Sequence, residues 1–266
     1  PIKSSAASDV YKRQHLNPYV DYSGAAKVFY ILVSMEILTV MFLIPSFTAG
    51  SIAGEREKQT LDILLTTTLT PGEIIMGKLM SSISMVFLLV VSSLPIISIV
   101  FTIGGIGMED MLMFMLEILI ISFFIGSMGM LASTMLKKTV QATVCSFAQI
   151  VLVCGGTVVV VIVAYIAAKL YYYNCMGAVG SMPDVSSVLF ILLINPAFTI
   201  VQMTAKHCES ISVISKAAGM LNGSMPSTIV DNWFRLSMIS QMIVTVILLR
   251  ISAILLKPTR KKKTVS

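Results

Sequence analysis

Apolar residues fall in long blocks along this chain, and short polar intervals separate them. The blocks cover about residues 27–49, 74–103, 110–136, 139–168 and 234–256. Each reaches or exceeds the length of about 20 residues with which a helix crosses a bilayer. None alternates with a period of two, which excludes the strands of a membrane barrel. The expected fold is therefore an all-α polytopic membrane protein with five transmembrane helices. Pro45 and Pro95 fall inside blocks and predict kinks. Gly50, Gly54 and a charged run predict the end of the first helix, and Gly155-Gly156 interrupts the fourth. Residues 169–230 are mixed: Tyr171-Tyr172-Tyr173, a short apolar segment from Val188 to Ile194, Asn195-Pro196, and a loop rich in Ser and Gly. Val188–Ala205 is about one membrane thickness long but broken at Asn195-Pro196, and reads as a re-entrant or interfacial helix.

One polar interval reads as ordered. It runs GEREKQTLDILLTTTLTPGEIIMGK from Gly54 to Lys78. Glu55, Arg56, Glu57 and Lys58 alternate in sign. Leu61, Leu64 and Leu65 then recur at helical spacing with Asp62 between them, and Leu69 continues that face. A second start follows at Thr70-Pro71-Gly72-Glu73, where Thr70 and Glu73 have the spacing of a capping box and Pro71 suits the first helical position. The interval predicts a short surface helix, a break at 66–70, and a new helix that runs into the second apolar block.

Charge fixes the expected orientation. Of the 266 residues, 56% are hydrophobic and 12% charged, with a net charge of +6. A soluble domain carries about twice that charged fraction. The basic residues flank the apolar blocks, which is a topology signal and not a nucleic-acid surface. Placing Arg56, Lys58, Lys78, Lys137-Lys138, Lys257 and Arg260–Lys263 in the cytoplasm is satisfied by five spans. Residues 169–230 are then external, and the basic tail 257–266 is cytoplasmic. The expected location is the plasma (inner) membrane, multi-pass, with the C-terminus in the cytoplasm. Residues 1–26 are expected to be a disordered or artefactual N-terminus with an external lead-in; the string SDVYKRQ at 8–14 looks like an assembly remnant, and the chain reads as N-terminally truncated.

Several chemistries can be set aside. Gly72–Leu79 nearly matches a phosphate-binding loop, but Leu79 stands where a hydroxyl is needed and no strand precedes it. Gly77 reads instead as permitting close packing, and Lys78 as marking the cytoplasmic boundary. Neither catalytic triads nor metal-ligand spacings occur, so no catalytic residue, cofactor or metal is assigned to this chain. Cys145 and Cys154 read as small core residues, and a disulfide between Cys175 and Cys208 stays open. Gly126, Gly129, Ala132 and Ser133 read as a packing seam. Glu36 and Glu117 lie inside apolar blocks, several residues from the outer ends of their helices. Intramembrane carboxylates are costly and mark functional candidates, so both are assigned to a possible polar path.

At Ile44–Lys78, IPSFTAGSIAGEREKQTLDILLTTTLTPGEIIMGK resembles the signature of ATP-binding-cassette (ABC) permeases of the type-2 exporter class. The matching positions are Glu55, Arg56, Glu57, Thr60, Leu61, Leu64, Leu65, Pro71, Glu73, Gly77 and Lys78. Gln59 departs from the family, which usually has glycine there. The resemblance implies six spans in a full-length chain and a cytoplasmic coupling helix. Glu55, Arg56, Glu57, Thr60, Leu61, Leu64 and Leu65 would then dock a separate ABC ATPase subunit that binds the ATP. It also implies a second permease chain, as homo- or heterodimer, with the substrate path between the two. The implied function is export across the plasma membrane. Two others stay open: an ABC-type permease in lipid extraction, signalling or resistance, and a stand-alone secondary transporter using Glu36 or Glu117. The substrate is not legible.

Overall fold

The computed structural model describes residues 22–66, 68–103, 108–176, 183–208, 212–223 and 225–256. Among them the chain is helical and contains no strand. Helix α1 spans Tyr22–Glu57, a short α2 covers Leu61–Leu65, and α3 runs from Pro71 to Ile103. Helix α4 is Met108–Met135 and α5 is Thr139–Val151. A π-helical turn at Leu152–Gly156 joins α5 to α6, Thr157–Tyr171. After a second π-turn at Tyr172–Met176 comes a 3-10 helix, Ser186–Ile194. The chain closes with α7 (Pro196–Cys208), α8 (Val213–Met220), α9 (Ser227–Asp231) and α10 (Trp233–Leu256). Five stretches are long and apolar enough to cross a membrane: Ile31–Glu57, Pro71–Pro95, Met111–Met135, Thr139–Asn174 and Trp233–Leu256.

Helix α4 is the centre of the bundle, packed against α1, α3, α5 and α10. Lipid tails are as apolar as leucine, so these helices gain little by hiding apolar surface from one another and depend on close packing. The sequence supplies it where α1 meets α4. A Cβ on Gly129 would collide with the Thr48 hydroxyl, and one on Gly126 would lie 3.5 Å from the Ile44 side chain. The Ser133 hydroxyl accepts from the backbone N–H groups of Ile52 and Ala53 at 2.9 Å each. Phe29 and Phe114 close the seam edge to face, with centroids 5.1 Å apart. Thr39 and Ser46 on α1 return their protons to their own helix, to the Met35 and Phe42 carbonyls, which satisfies them in an apolar setting.

One expectation changes. Gly50 and Gly54 do not stop α1, which runs on to Glu57. A glycine inside a helix is a modest cost, and a Cβ added at Gly54 would lie 3.4 Å from Thr139 Cγ2. The Val188–Ala205 stretch divides into the 3-10 helix and α7, with the expected break at Asn195. There the side chain amide donates to the Cys154 carbonyl at 2.9 Å and to Thr157 Oγ1 at 2.8 Å, while its oxygen accepts the Phe198 N–H at 3.1 Å. A π-turn leaves a carbonyl outside the regular ladder, and Asn195 satisfies it while capping α7. Next to this latch, Ser237 and Ser240 of α10 donate to the Leu193 carbonyl, and Gln202 binds Ser212 and the Ile214 N–H. Trp233 packs between Phe190 and Phe198. Asp184 accepts the Ser186 N–H at 2.8 Å, which holds its carboxyl below the usual range. Cys145 and Cys154 are free thiols; the side chains of Cys175 and Cys208, residues 1–21 and the tail 257–266 lie outside the described residues.

Candidate functional site

The polar interval folds into a knot at the Arg56 end of the bundle. Helix α1 ends in a six-residue loop: the Thr60 N–H bonds the Glu55 carbonyl at 2.9 Å and the Gln59 N–H bonds that of Arg56 at 3.2 Å. That pattern requires a left-handed residue just past the helix, and Gln59 supplies it with φ of 60°. The family's glycine at this position has its physical reason here. Gln59→Gly should raise stability by about 0.5–1 kcal/mol, the left-handed strain removed less the added freedom of the unfolded chain, read as a higher unfolding midpoint in detergent.

Glu55, Arg56 and Glu57 each have a structural partner, whereas Lys58 is exposed. Lys78 donates to the Ser51 carbonyl at 3.0 Å and forms an ion pair with Glu55, joining the start of α3 to the end of α1. Arg56 donates from Nη1 to the carbonyls of Thr134 (3.1 Å) and Leu136 (2.9 Å), and from Nη2 to Thr134 again (3.1 Å). These carbonyls end α4 and have no helical partner, so a cation there meets both unmet acceptors and the negative end of the dipole. Glu57 accepts from the Thr139 N–H at 3.1 Å and the Thr139 hydroxyl at 2.8 Å, capping the opposite, positive end of α5. Thr60 donates its hydroxyl back to the Glu55 carbonyl at 3.2 Å. The capping box forms, with the Thr70 N–H on Glu73 at 2.7 Å and the Glu73 N–H on Thr70 Oγ1 at 3.3 Å.

Helix α2 lies against its own bundle. Leu61 is 6% exposed, among Ile52, Ile74, Ile75, Leu79 and Met130, and Leu64 is half-buried against the same cluster. The Leu65 side chain lies outside the described residues. Leu61 and Leu64 therefore point inward, whereas Leu69 is 51% exposed and Ile63 of α2 is 69% exposed. Ile63 was missed because periodicity reports an apolar face and not what that face meets. Gly77 is no packing glycine: nothing lies within 4 Å of where its Cβ would be. Leu79, in the near-match to a phosphate loop, is fully buried on α3, and Lys78 is already bonded as above.

Glu36 and Glu117 are both buried. The offset of 81 residues that pairs Ile52 with Ser133 also sets Glu36 level with Glu117. They are not hydrogen-bonded to each other. Glu36 accepts the Ser93 hydroxyl of α3 at 2.8 Å. At about 100° per residue, Glu117 lies about 120° around α4 from Gly129, off the seam with α1. Glu117 is 1% exposed, and neither carboxyl oxygen has a hydrogen-bond partner among the described residues.

Five apolar spans, four of them packed around α4 and tied at one end by charged residues, define a multi-pass helical membrane protein. The model of the ABC-2 family transporter protein matches residues 4–257, and the chain belongs to that family. No curated protein matches it. Membership makes the chain a transporter component and implies an ABC ATPase as its partner.

Proposed function

We propose that this chain is the permease subunit of an ATP-driven exporter in the plasma membrane. The knot faces the cytoplasm, as the basic residues around it predict. Helix α2 is the coupling element, docked in a groove of a separate ATPase subunit. The 3-10 helix and α7 form a hairpin that enters from the outer face. A second permease chain completes the transporter, with the substrate path between the two. Glu55, Arg56, Glu57, Thr60, Leu61 and Leu64 act from within this chain, by holding α2 rigidly to four spans, and Ile63 is the anchor that meets the partner.

The observation that carries this reading is the knot itself. Glu55, Arg56, Glu57 and Lys78 join α1, α3, α4 and α5 at the level where α2 leaves the bundle. A push on α2 therefore reaches four helices at once. The test is Ile63→Asp. Its side chain is exposed, so the fold should persist, whereas a carboxylate in an apolar groove costs about 2–3 kcal/mol. ATPase co-purification should then fall by tens-fold or more. Undiminished co-purification, with the variant still monodisperse, would reject α2 as the docking element.

A further inference from the structure

Resting on that reading, we propose that the turn between α4 and α5, residues 136–139, is a second part of the ATPase docking surface, and that it meets an acidic edge of the ATPase. The turn is too short to fold on its own. Three hydrogen bonds fix it to the last turn of α1, one from Arg56 to the Leu136 carbonyl and two from Thr139 to Glu57, and two more from Arg56 hold the Thr134 carbonyl just before it. Chain continuity brings α2 from the same end of α1, only Lys58, Gln59 and Thr60 intervening. The turn and α2 are thus held at one level by adjacent residues, and a partner that meets one is beside the other.

The outward chemistry of this surface is cationic with an apolar flank. Lys58, Lys137 and Lys138 are exposed, and Met135 and Val140 are exposed on either side of the turn. Among the described residues the one ion pair is Lys78 with Glu55; the Glu57 carboxyl, held first by Thr139, is also within electrostatic reach of Lys138, and Lys58 and Lys137 are in no ion pair. Arg56 is committed to carbonyls and Glu57 to Thr139, so the free charge at this level is positive. Anionic lipid headgroups are the other occupant that this charge fits. Lysines that serve lipid need no fixed backbone, because their long stems reach headgroups from many turn conformations. A backbone locked to the coupling run serves a partner that contacts both elements together, with charge setting its approach and register.

The experiment uses the full chain co-expressed with its ATPase and purified in detergent. Lys137→Glu with Lys138→Glu should lower co-purified ATPase about tenfold or more at roughly 0.1 M salt, where charges are screened over about 10 Å. Lys137→Gln with Lys138→Gln should lower it less, and also serves if the doubly acidic variant fails to insert. Full retention of ATPase by either inserted variant at low salt overturns the proposal. It is equally overturned if wild-type retention depends on added anionic lipid and the variants match the wild type without it. The underlying functional reading fails separately, if the wild-type chain brings down no ATPase or if Ile63→Asp retains all of it.

Discussion

Gly129→Leu is expected to leave almost no folded protein in the membrane. Nothing larger than hydrogen fits at this position. A Cβ there meets the Thr48 hydroxyl, lies 2.9 Å from Thr48 Cβ and 3.4 Å from the Ala49 nitrogen. The last two are close to backbone and cannot swing away, so α1 and α4 must separate. Overpacking costs about 1–3 kcal/mol in cores that can adjust, and this seam has two further reasons to cost more. Separation withdraws Ser133 from Ile52 and Ala53. It also opens the joint that both Arg56 and Glu57 bridge. Size-exclusion profiles in detergent give the readout: a monodisperse peak for wild type and aggregate for Gly129→Leu. Thr48→Gly combined with Gly129→Ala should recover most of the peak, since it empties the space that the new methyl needs. A wild-type profile for Gly129→Leu would mean that the seam is not this close.

The second large effect is expected at Asn195→Asp. The replacement keeps size and shape and removes the donors. An aspartate oxygen would then face the Cys154 carbonyl and Thr157 Oγ1, where an amide N–H now donates to both. Asn195 is buried, and a buried polar group deprived of its partner costs about 1–3 kcal/mol, more when charged. The unfolding midpoint should therefore fall further for Asn195→Asp than for Asn195→Ala, which leaves the π-turn carbonyl bare but adds no repulsion. The reverse order, or no loss from either, would show that the latch does not hold the hairpin to α5 and α6.

Much of the bundle was legible because span length and end signals are local properties. Thr70, Pro71 and Glu73 announce the start of α3 through residues at most three apart, and the box forms as spaced. Gly126, Gly129 and Ser133 announce a seam, since small residues have few other uses on a helix this apolar. The bonds of Arg56 and Glu57 were illegible for the opposite reason. Their partners lie at Thr134, Leu136 and Thr139, some 80 residues away, and an alternation of charges looks the same whether it meets solvent, a partner or a neighbouring helix end. The leucines of α2 show the same limit. Their spacing was right for a helix face, but a chain that keeps its own spans nearby can bury that face against itself. The π-turn had only the Gly155-Gly156 pair as a trace, and the role of Asn195 there depends on a contact 41 residues distant.

Arg56 reads the α4–α5 turn only through carbonyls, and Glu57 reads it through one N–H and one hydroxyl. Backbone groups are the same whatever side chains they carry. The joint therefore places no demand on the identity of positions 137 and 138, and at 139 it asks for no more than a small hydroxyl. Substitutions in the turn can accumulate without loosening the bundle. If the turn meets the ATPase as proposed, divergence is thereby channelled to the residues that face it, and a duplicated gene can drift toward a different ATPase while its own scaffold stays intact.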